Sequence, residues 1–213
     1  MASPLTKMIR RFRYGPPVVV VSGLPRSGTS MAMKMLDAAG VPLLIDGIRT
    51  ADEDNPKGYY ELEQVKTLDK GADKGWVQNA RGKAVKIISF LLKDLPPEYN
   101  YKIIFMNRDL PEVLASQSKM LARRGEASST EDERMKDIYE KHLRKTKELL
   151  WSAPQFEVLE LQYKQVIEDP AGAAQRIRDF LGMPLDVGKM SQVADKELYR
   201  NRAQGIATHA VDE

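Results

Sequence analysis

The densest cluster of chemically useful residues is Val18-Val-Val-Val-Ser-Gly23-Leu-Pro25-Arg26-Ser27-Gly28-Thr29-Ser30. An unbroken run of β-branched residues passes into a loop bounded by two glycines. The loop then opens a segment with helical spacing through Met31, Met35 and Leu36, ended by Gly40. At such a strand–loop–helix turn, backbone N–H groups and the positive end of the helix dipole form a cradle for an anion. Ser27, Thr29 and Ser30 add hydroxyl donors, and Arg26 adds a permanent positive charge. The set would bind a phosphate-like group and stabilise negative charge that builds up during group transfer.

The spacing Gly23-x-x-x-x-Gly28 is that of the nucleotide phosphate loop, but such a loop continues with Lys and then Ser or Thr. Here Thr29 and Ser30 follow. The lysine that reaches the terminal phosphates of a nucleoside triphosphate is missing, and the cation stands inside the loop at Arg26. A kinase reading stays open as an alternative, with Asp109 as its only near metal-holding carboxylate.

Two further stretches matter. Arg108 closes the apolar run Ile103-Ile-Phe-Met-Asn, with Ser116 eight residues on; Tyr163 follows the run Phe156 to Leu161 in Leu161-Gln-Tyr163-Lys-Gln-Val-Ile-Glu-Asp169-Pro170. With these, Pro25-Arg26-Ser27-Gly28-Thr29 resembles the 5′-phosphosulfate loop of sulfotransferases. That family uses 3′-phosphoadenosine 5′-phosphosulfate (PAPS) and releases the bisphosphate PAP. The arginine in the loop is the form found in the tyrosylprotein branch and in many bacterial members. The resemblance spans about Val18 to Pro184. It implies a P-loop-like sulfotransferase fold and a metal-free reaction. It further implies that Pro25, Arg26, Ser27, Gly28, Thr29 and Ser30 hold the 5′-phosphate, that Arg108 and Ser116 bind the 3′-phosphate, and that Tyr163 contacts adenine. The segment Tyr199-Arg200-Asn-Arg202-Ala-Gln-Gly205 is similar to a basic segment that also grips the 3′-phosphate, through Arg202.

The chain departs from the family pattern at two places. Met31 stands where common members place an adenine-stacking ring. Lys86-Ile87-Ile88 stands where they have Lys-Thr-His, so Lys86 is kept and the histidine base is not. The remaining histidines, His142 and His209, lie far from any motif, and His142 reads as a packed or half-exposed helix residue. Arg26 and Lys86 would offset charge on the bridging oxygen and the sulfuryl group. A carboxylate must then accept the acceptor's proton. Asp46, Asp52, Glu53, Asp54, Glu61 and Glu63 are the candidates. If 60–68 is helical, Glu61 shares a face with Val65 and Leu68, whereas Glu63 faces Lys66, Thr67 and Lys70. An apolar surrounding makes a carboxylate a better base, which selects Glu61. Bracing of the loop by an ion pair is the equal alternative.

The elements that must position these residues alternate along the chain. Strands are expected at 18–21, 41–45, 84–89, 101–106 and 156–161. Helices are expected at 29–39, 60–68, 111–121, 131–150 and 170–181. The alternation predicts a three-layer α/β fold with a mostly parallel sheet. At 213 residues, the chain is expected to form a single domain over 1–213, with residues 1–14 as a basic arm, a frayed terminus in preference to a tether for an anionic surface. Loops at 46–58 and 123–129 would wall the acceptor site, and Tyr59, Tyr60 and Trp76 form either an aromatic wall or, as is commoner for such rings, part of the packing.

Composition excludes several classes. With 33 Lys plus Arg against 30 Asp plus Glu, the net charge of +3 is too small to argue for nucleic acid. The sequence has no cysteine, which excludes disulfides and thiolate chemistry, and no long apolar run. The expectation is a soluble, cytoplasmic enzyme acting on a small-molecule or glycan acceptor with a hydroxyl or amine group. A catalytically dead PAPS- or PAP-binding relative is the remaining alternative, since the histidine is missing.

Overall fold

The computed structural model describes residues 3–48, 60–71, 73–123 and 132–193. Four strands, β1 (Val18–Gly23), β2 (Ala84–Lys86), β3 (Tyr101–Asn107) and β4 (Phe156–Gln162), form one sheet in the order β2-β1-β3-β4. All three pairings are parallel. The helices are α1 (Pro4–Tyr14), α2 (Thr29–Ala38), α3 (Trp76–Asn79), α4 (Leu110–Arg123), α5 (Asp132–Ser152), α6 (Tyr163–Glu168), α7 (Pro170–Leu181) and α8 (Val187–Ser191), with 3-10 turns at Glu63–Thr67 and Ser89–Asp94.

The valine run of β1 explains the layering. Successive strand residues point to opposite faces. Val19 and Val21 enter one core with Ile104, Met106, Met33, Met35 and Leu36, and with Ala174 and Ile177 of α7. Val18 and Val20 enter a second core with Val85, Ile103, Phe105, Leu92 and Leu150. A strand apolar on both faces is what a sheet covered on both sides requires. A third, smaller cluster of Leu24, Val113, Leu114 and Tyr139 packs the start of the loop against α4 and α5. Proline opens α7 at its first turn, Asp169 caps it through the Gly172 N–H, and Gly182 ends it in the left-handed region.

Four expectations are corrected. Val41 to Ile45 is not a strand: it makes one parallel bridge, Leu43 to Ala84. Pro42 offers its carbonyl to Ala84 N and Leu44 N–H donates to the Ala84 carbonyl, but the next N–H in register, that of Asp46, turns to the Glu61 carbonyl, so the pairing stops at one bridge. Residues 60–68 do not form one helix. Tyr60 has φ 53°, a left-handed value, and Leu62 is extended, so only the 3-10 turn Glu63–Thr67 remains. The third strand stops at Lys86. The basic segment at the N-terminus is helix α1, capped by the Ser3 side chain. Of the two readings of Trp76, packing holds: it is 7 % exposed and lies in the second core. Tyr59, Asp52, Glu53, Asp54, Arg200, Arg202 and the loop residues 124–129 lie outside the described residues.

Ile104 is fully buried at the centre of β3. Ile104→Ala should lower stability by about 2–5 kcal/mol in urea denaturation with an unchanged slope. A loss below about 1 kcal/mol would show that the first core does not depend on this strand.

Candidate functional site

Strand order alone sets where a ligand fits. The chain passes from β1 to β2 on one side, then returns to β3 on the other, so a crevice opens beyond the carboxyl ends of β1 and β3. Gly23 and Met106 are register partners across that boundary. The loop after β1 and the turn after β3 therefore begin side by side. Gly23 has φ 152°, and a Cβ there would press on the Ser27 hydroxyl and come 2.5 Å from the Met106 carbonyl oxygen. Gly28 has φ 99°, and a Cβ there would come 2.5 Å from the Tyr163 ring. Both glycines of the motif are thus demanded by close approach, the second by the tyrosine after β4.

Three separate sequence segments meet here: the loop after β1, the end of β3 with α4, and the start of α6. Arg26 adopts φ 69°, a left-handed conformation that is strained for a non-glycine residue. Its Nε donates to Ser116 Oγ at 3.0 Å. Its carbonyl accepts from Arg108 Nη1 at 3.1 Å. Arg108 Nε donates to Glu112 Oε2 at 2.9 Å, and the Arg108 guanidinium lies 4.5 Å over the Tyr163 ring. The Arg108 and Glu112 side chains are 8 % and 2 % exposed, so this is a buried ion pair. Arg26, Arg108, Ser116, Tyr163 and Gly28 thus form one contiguous cluster. Thr29 and Ser30 open α2, whose N-cap Gly28 provides no side-chain hydrogen bond to the first turn. Ser27 Oγ and Ser22 Oγ are buried, and among the described residues neither has a hydrogen-bond partner. An orphaned buried hydroxyl is costly unless something pairs with it.

The second charged group stands one strand over. Lys86, the last residue of β2, is the register partner of Val21. Its ammonium lies 3.3 Å from Glu61 Oε1, with side-chain exposures of 7 % and 20 %. Glu61 reaches Lys86 from an extended stretch, not from the helical face that the sequence suggested. Asp46 has a different task. Its N–H donates to the Glu61 carbonyl, and its carboxylate accepts from the N–H groups of Ile48 and Glu63. Those backbone bonds hold the Asp46 carboxyl below its ordinary pKa. Asp46 closes the base of its loop and is ill placed to be a base. Glu63 pairs with Lys66 in solvent. Asp109 is exposed at the start of α4, and Met31 packs against the first core.

Sequence reading missed Glu112 and the Ser89–His142 pair. Glu112 was legible as the i, i+4 partner of Arg108. His142 and Ser89 are far apart in sequence, and only the packing of α5 joins them. His142 stacks on Phe90 at 3.6 Å, with Nε2 2.8 Å from Ser89 Oγ and 3.2 Å from Thr146 Oγ1.

Burial pushes the His142 imidazole below its ordinary value of 6.5. The unfolded chain takes up that proton near pH 6.5, and the folded protein only at lower pH. The stability His142 contributes is therefore present above about pH 6.5 and is lost as pH falls below it. The wild type should lose more melting temperature between about pH 7.5 and pH 5.5 than His142→Gln. Equal losses would mean that the imidazole is not held neutral by its packing.

Comparison with known proteins agrees with this geometry. The family described as the sulfotransferase domain matches residues 16–204. No curated protein matches the chain in sequence. Among solved structures, the sulfotransferase domain of the Synechococcus PCC 7002 olefin synthase is similar with a TM-score of 0.53 at 16 % identity, over 93 % of this chain and 96 % of that chain. The sulfotransferase domain from the curacin biosynthetic pathway gives 0.51 at 13 % identity, over 90 % and 82 %. A mouse sulfotransferase complexed with PAP gives 0.50 at 16 % identity, over 84 % of this chain and 62 % of that one. At such identities the structural likeness is one of fold. The family match spans nearly the whole described chain, including the loop after β1, Arg108 and Tyr163, and the chain belongs to the sulfotransferase domain family and has its fold.

Proposed function

We propose that the protein transfers a sulfuryl group from PAPS to a hydroxyl or amine acceptor in the crevice beyond β1 and β3. The observation that carries this reading is the cluster in which Arg26, Ser116, Arg108 and Tyr163 surround one two-glycine turn. Two guanidinium groups against one buried carboxylate leave the cluster net positive, as an anionic ligand with more than one phosphate requires. The missing loop lysine and the exposed Asp109 count against a kinase.

The residues present fit the donor. Ser27 Oγ, buried without a partner in a turn that excludes any Cβ at Gly23 and Gly28, is placed for an anion to satisfy it. PAPS, when bound, supplies the sulfuryl group on a phosphate leaving group. The N–H groups of Arg26 and Gly28, and the hydroxyls of Ser27, Thr29 and Ser30, hold the 5′-phosphate, while the Ser27 N–H closes the turn onto the Leu24 carbonyl. Arg108 and Ser116 read the 3′-phosphate, with Arg202 as a further cation. Tyr163, backed by Gly28 and Arg108, offers its ring to adenine. Arg26 and Lys86 offset charge on the leaving oxygen and on the sulfuryl group. Glu61 accepts the acceptor's proton, with Lys86 fixing the position of its carboxylate. These side chains need no metal for the scheme. The acceptor is a small molecule or glycan, and the cysteine-free sequence suits work in the cytoplasm.

A thermal-shift comparison tests the donor class. PAP should raise the melting temperature well above 5′-AMP, and Mg-ATP should do little. Arg108→Ala alone would strand the buried Glu112, so the paired variant Arg108→Ala/Glu112→Gln is the cleaner probe. It should lose on the order of 2–5 kcal/mol of PAP binding and its preference over 5′-AMP. A retained preference would remove the basis for choosing PAPS.

Glu61→Gln tests the proton acceptor. It should bind PAP normally and lose about 10²–10⁴-fold in turnover with PAPS and an accepted substrate. Normal turnover in that variant would leave Glu61 as a brace for Lys86 and nothing more.

A further inference from the structure

Helix α1 carries its polarity the wrong way round for a helix packed on a domain, which ordinarily turns its apolar stripe to the core. Leu5, Met8, Ile9 and Phe12 recur at i, i+3, i+4 and i+7 and form one stripe. They are 61 %, 64 %, 55 % and 95 % exposed, and no residue of the helix is buried. The cationic side faces the protein instead. Lys7 Nζ bonds Glu157 at 2.8 Å. Arg10 donates to the carbonyls of Pro97 and Tyr99 and to the Asn100 side chain. Asn100 donates back to the carbonyls of Arg10 and Gly15. The apolar stripe is therefore held outward by specific polar bonds, and is not exposed merely because the helix is loose.

The borders of the stripe are basic. Arg11 follows Met8 by three residues and Arg13 follows Ile9 by four, so each is a neighbour of the stripe on a different side. Both are exposed, and no acidic residue occurs between Ser3 and Tyr14. An apolar band edged by arginines matches a bilayer interface, where acyl chains take the band and lipid phosphates take the guanidinium groups. We propose that α1 lies in the surface of an anionic lipid bilayer and holds the domain there.

A second copy fits less well. Stacking two stripes face to face would bring Arg11 and Arg13 against their equivalents. Eleven residues also make a helix only about 16 Å long, whose one face at about 10 Å wide spans roughly 160 Å², well short of the ~800 Å² per partner of a stable dimer. Nor does the helix span, since a crossing needs ~20 apolar residues. The contacts of α1 fall at Pro97, Tyr99 and Asn100 before β3 and at Glu157 near the start of β4. They lie at the amino ends of the strands, whereas the crevice opens at the carboxyl ends. The bilayer would therefore sit behind the sheet and leave the crevice facing water.

Flotation of the full chain with vesicles tests this without any sulfuryl donor. Vesicles of phosphatidylcholine with about one third phosphatidylserine should capture at least ~10-fold more protein than phosphatidylcholine alone. Phe12→Ser and Ile9→Ser should each cut capture by about tenfold, and Arg11→Glu/Arg13→Glu should abolish the preference for phosphatidylserine. All three variants should keep the wild-type melting temperature and PAP response, which separates lipid binding from the site. No capture, equal capture by both vesicles, or capture indifferent to Phe12→Ser would overturn the proposal. So would a lipid-free dimer in sedimentation that Phe12→Ser dissociates.

Discussion

The site depends on how Arg108 is held. Its guanidinium donates to the buried Glu112 carboxylate, donates to the Arg26 carbonyl, and lies over the Tyr163 ring. Those three bonds join the end of β3, the loop after β1 and the start of α6. A buried cation without Glu112 would be costly, and Glu112 without Arg108 equally so. The pair is kept where the three segments must share one geometry. The strained φ of Arg26 is part of this arrangement: the left-handed turn presents its carbonyl to Arg108 and sends its own side chain to Ser116. Donors fixed before the ligand arrives need little reorganisation when charge moves.

How much of this the sequence revealed follows from the range of each signal. The valine run of β1 and the β3 run Tyr101 to Met106 were legible because a doubly covered parallel strand is apolar along nearly all of its length, Lys102 being the one polar residue of that run. The helix at 170–181 was legible because proline, aspartate and glycine mark its ends locally. Val41 to Ile45 misled because its composition suits a strand, while its pairing with β2 ends after one bridge, where Asp46 N–H turns to the Glu61 carbonyl. The stretch 60–68 misled because three apolar positions at helical spacing also serve an extended chain and a 3-10 turn whose buried residues simply meet the second core.

The site divides in the same way. The loop, Arg108, Ser116 and Tyr163 were named through the resemblance of three motifs, and the structure brings them into one cluster because the loop, Arg108 and Tyr163 follow strand ends and Ser116 lies in the helix after Arg108. Glu61 was selected for a helical face that does not exist, yet the structure brings it to Lys86. That pairing crosses from the loop to β2, a long-range contact that no periodicity encodes. The Ser89–His142 contact is of the same kind. Asp46 shows the reverse: it was one of six nearby carboxylates in the sequence, and three backbone hydrogen bonds mark it as the clasp of its loop.

Helix α1 was read as a frayed basic arm, with a tether for an anionic surface as the alternative, because a terminal segment rich in Lys and Arg gives no sign of what it packs against. The structure shows that a helix can be anchored through its charges. Lys7 and Arg10 spend their hydrogen bonds on the domain, so only Arg11 and Arg13 keep their charge at the surface beside the exposed stripe. Had the stripe packed inward, these four cations would all face water, and the segment would be an ordinary basic surface helix. Turned outward, it places hydrophobic area and positive charge at the end of the sheet farthest from Arg26 and Arg108. A parallel sheet permits that separation, since its amino ends carry no site and are open to a second task. The same strands that gather Arg26, Arg108 and Tyr163 at one end leave the other end as a platform for α1.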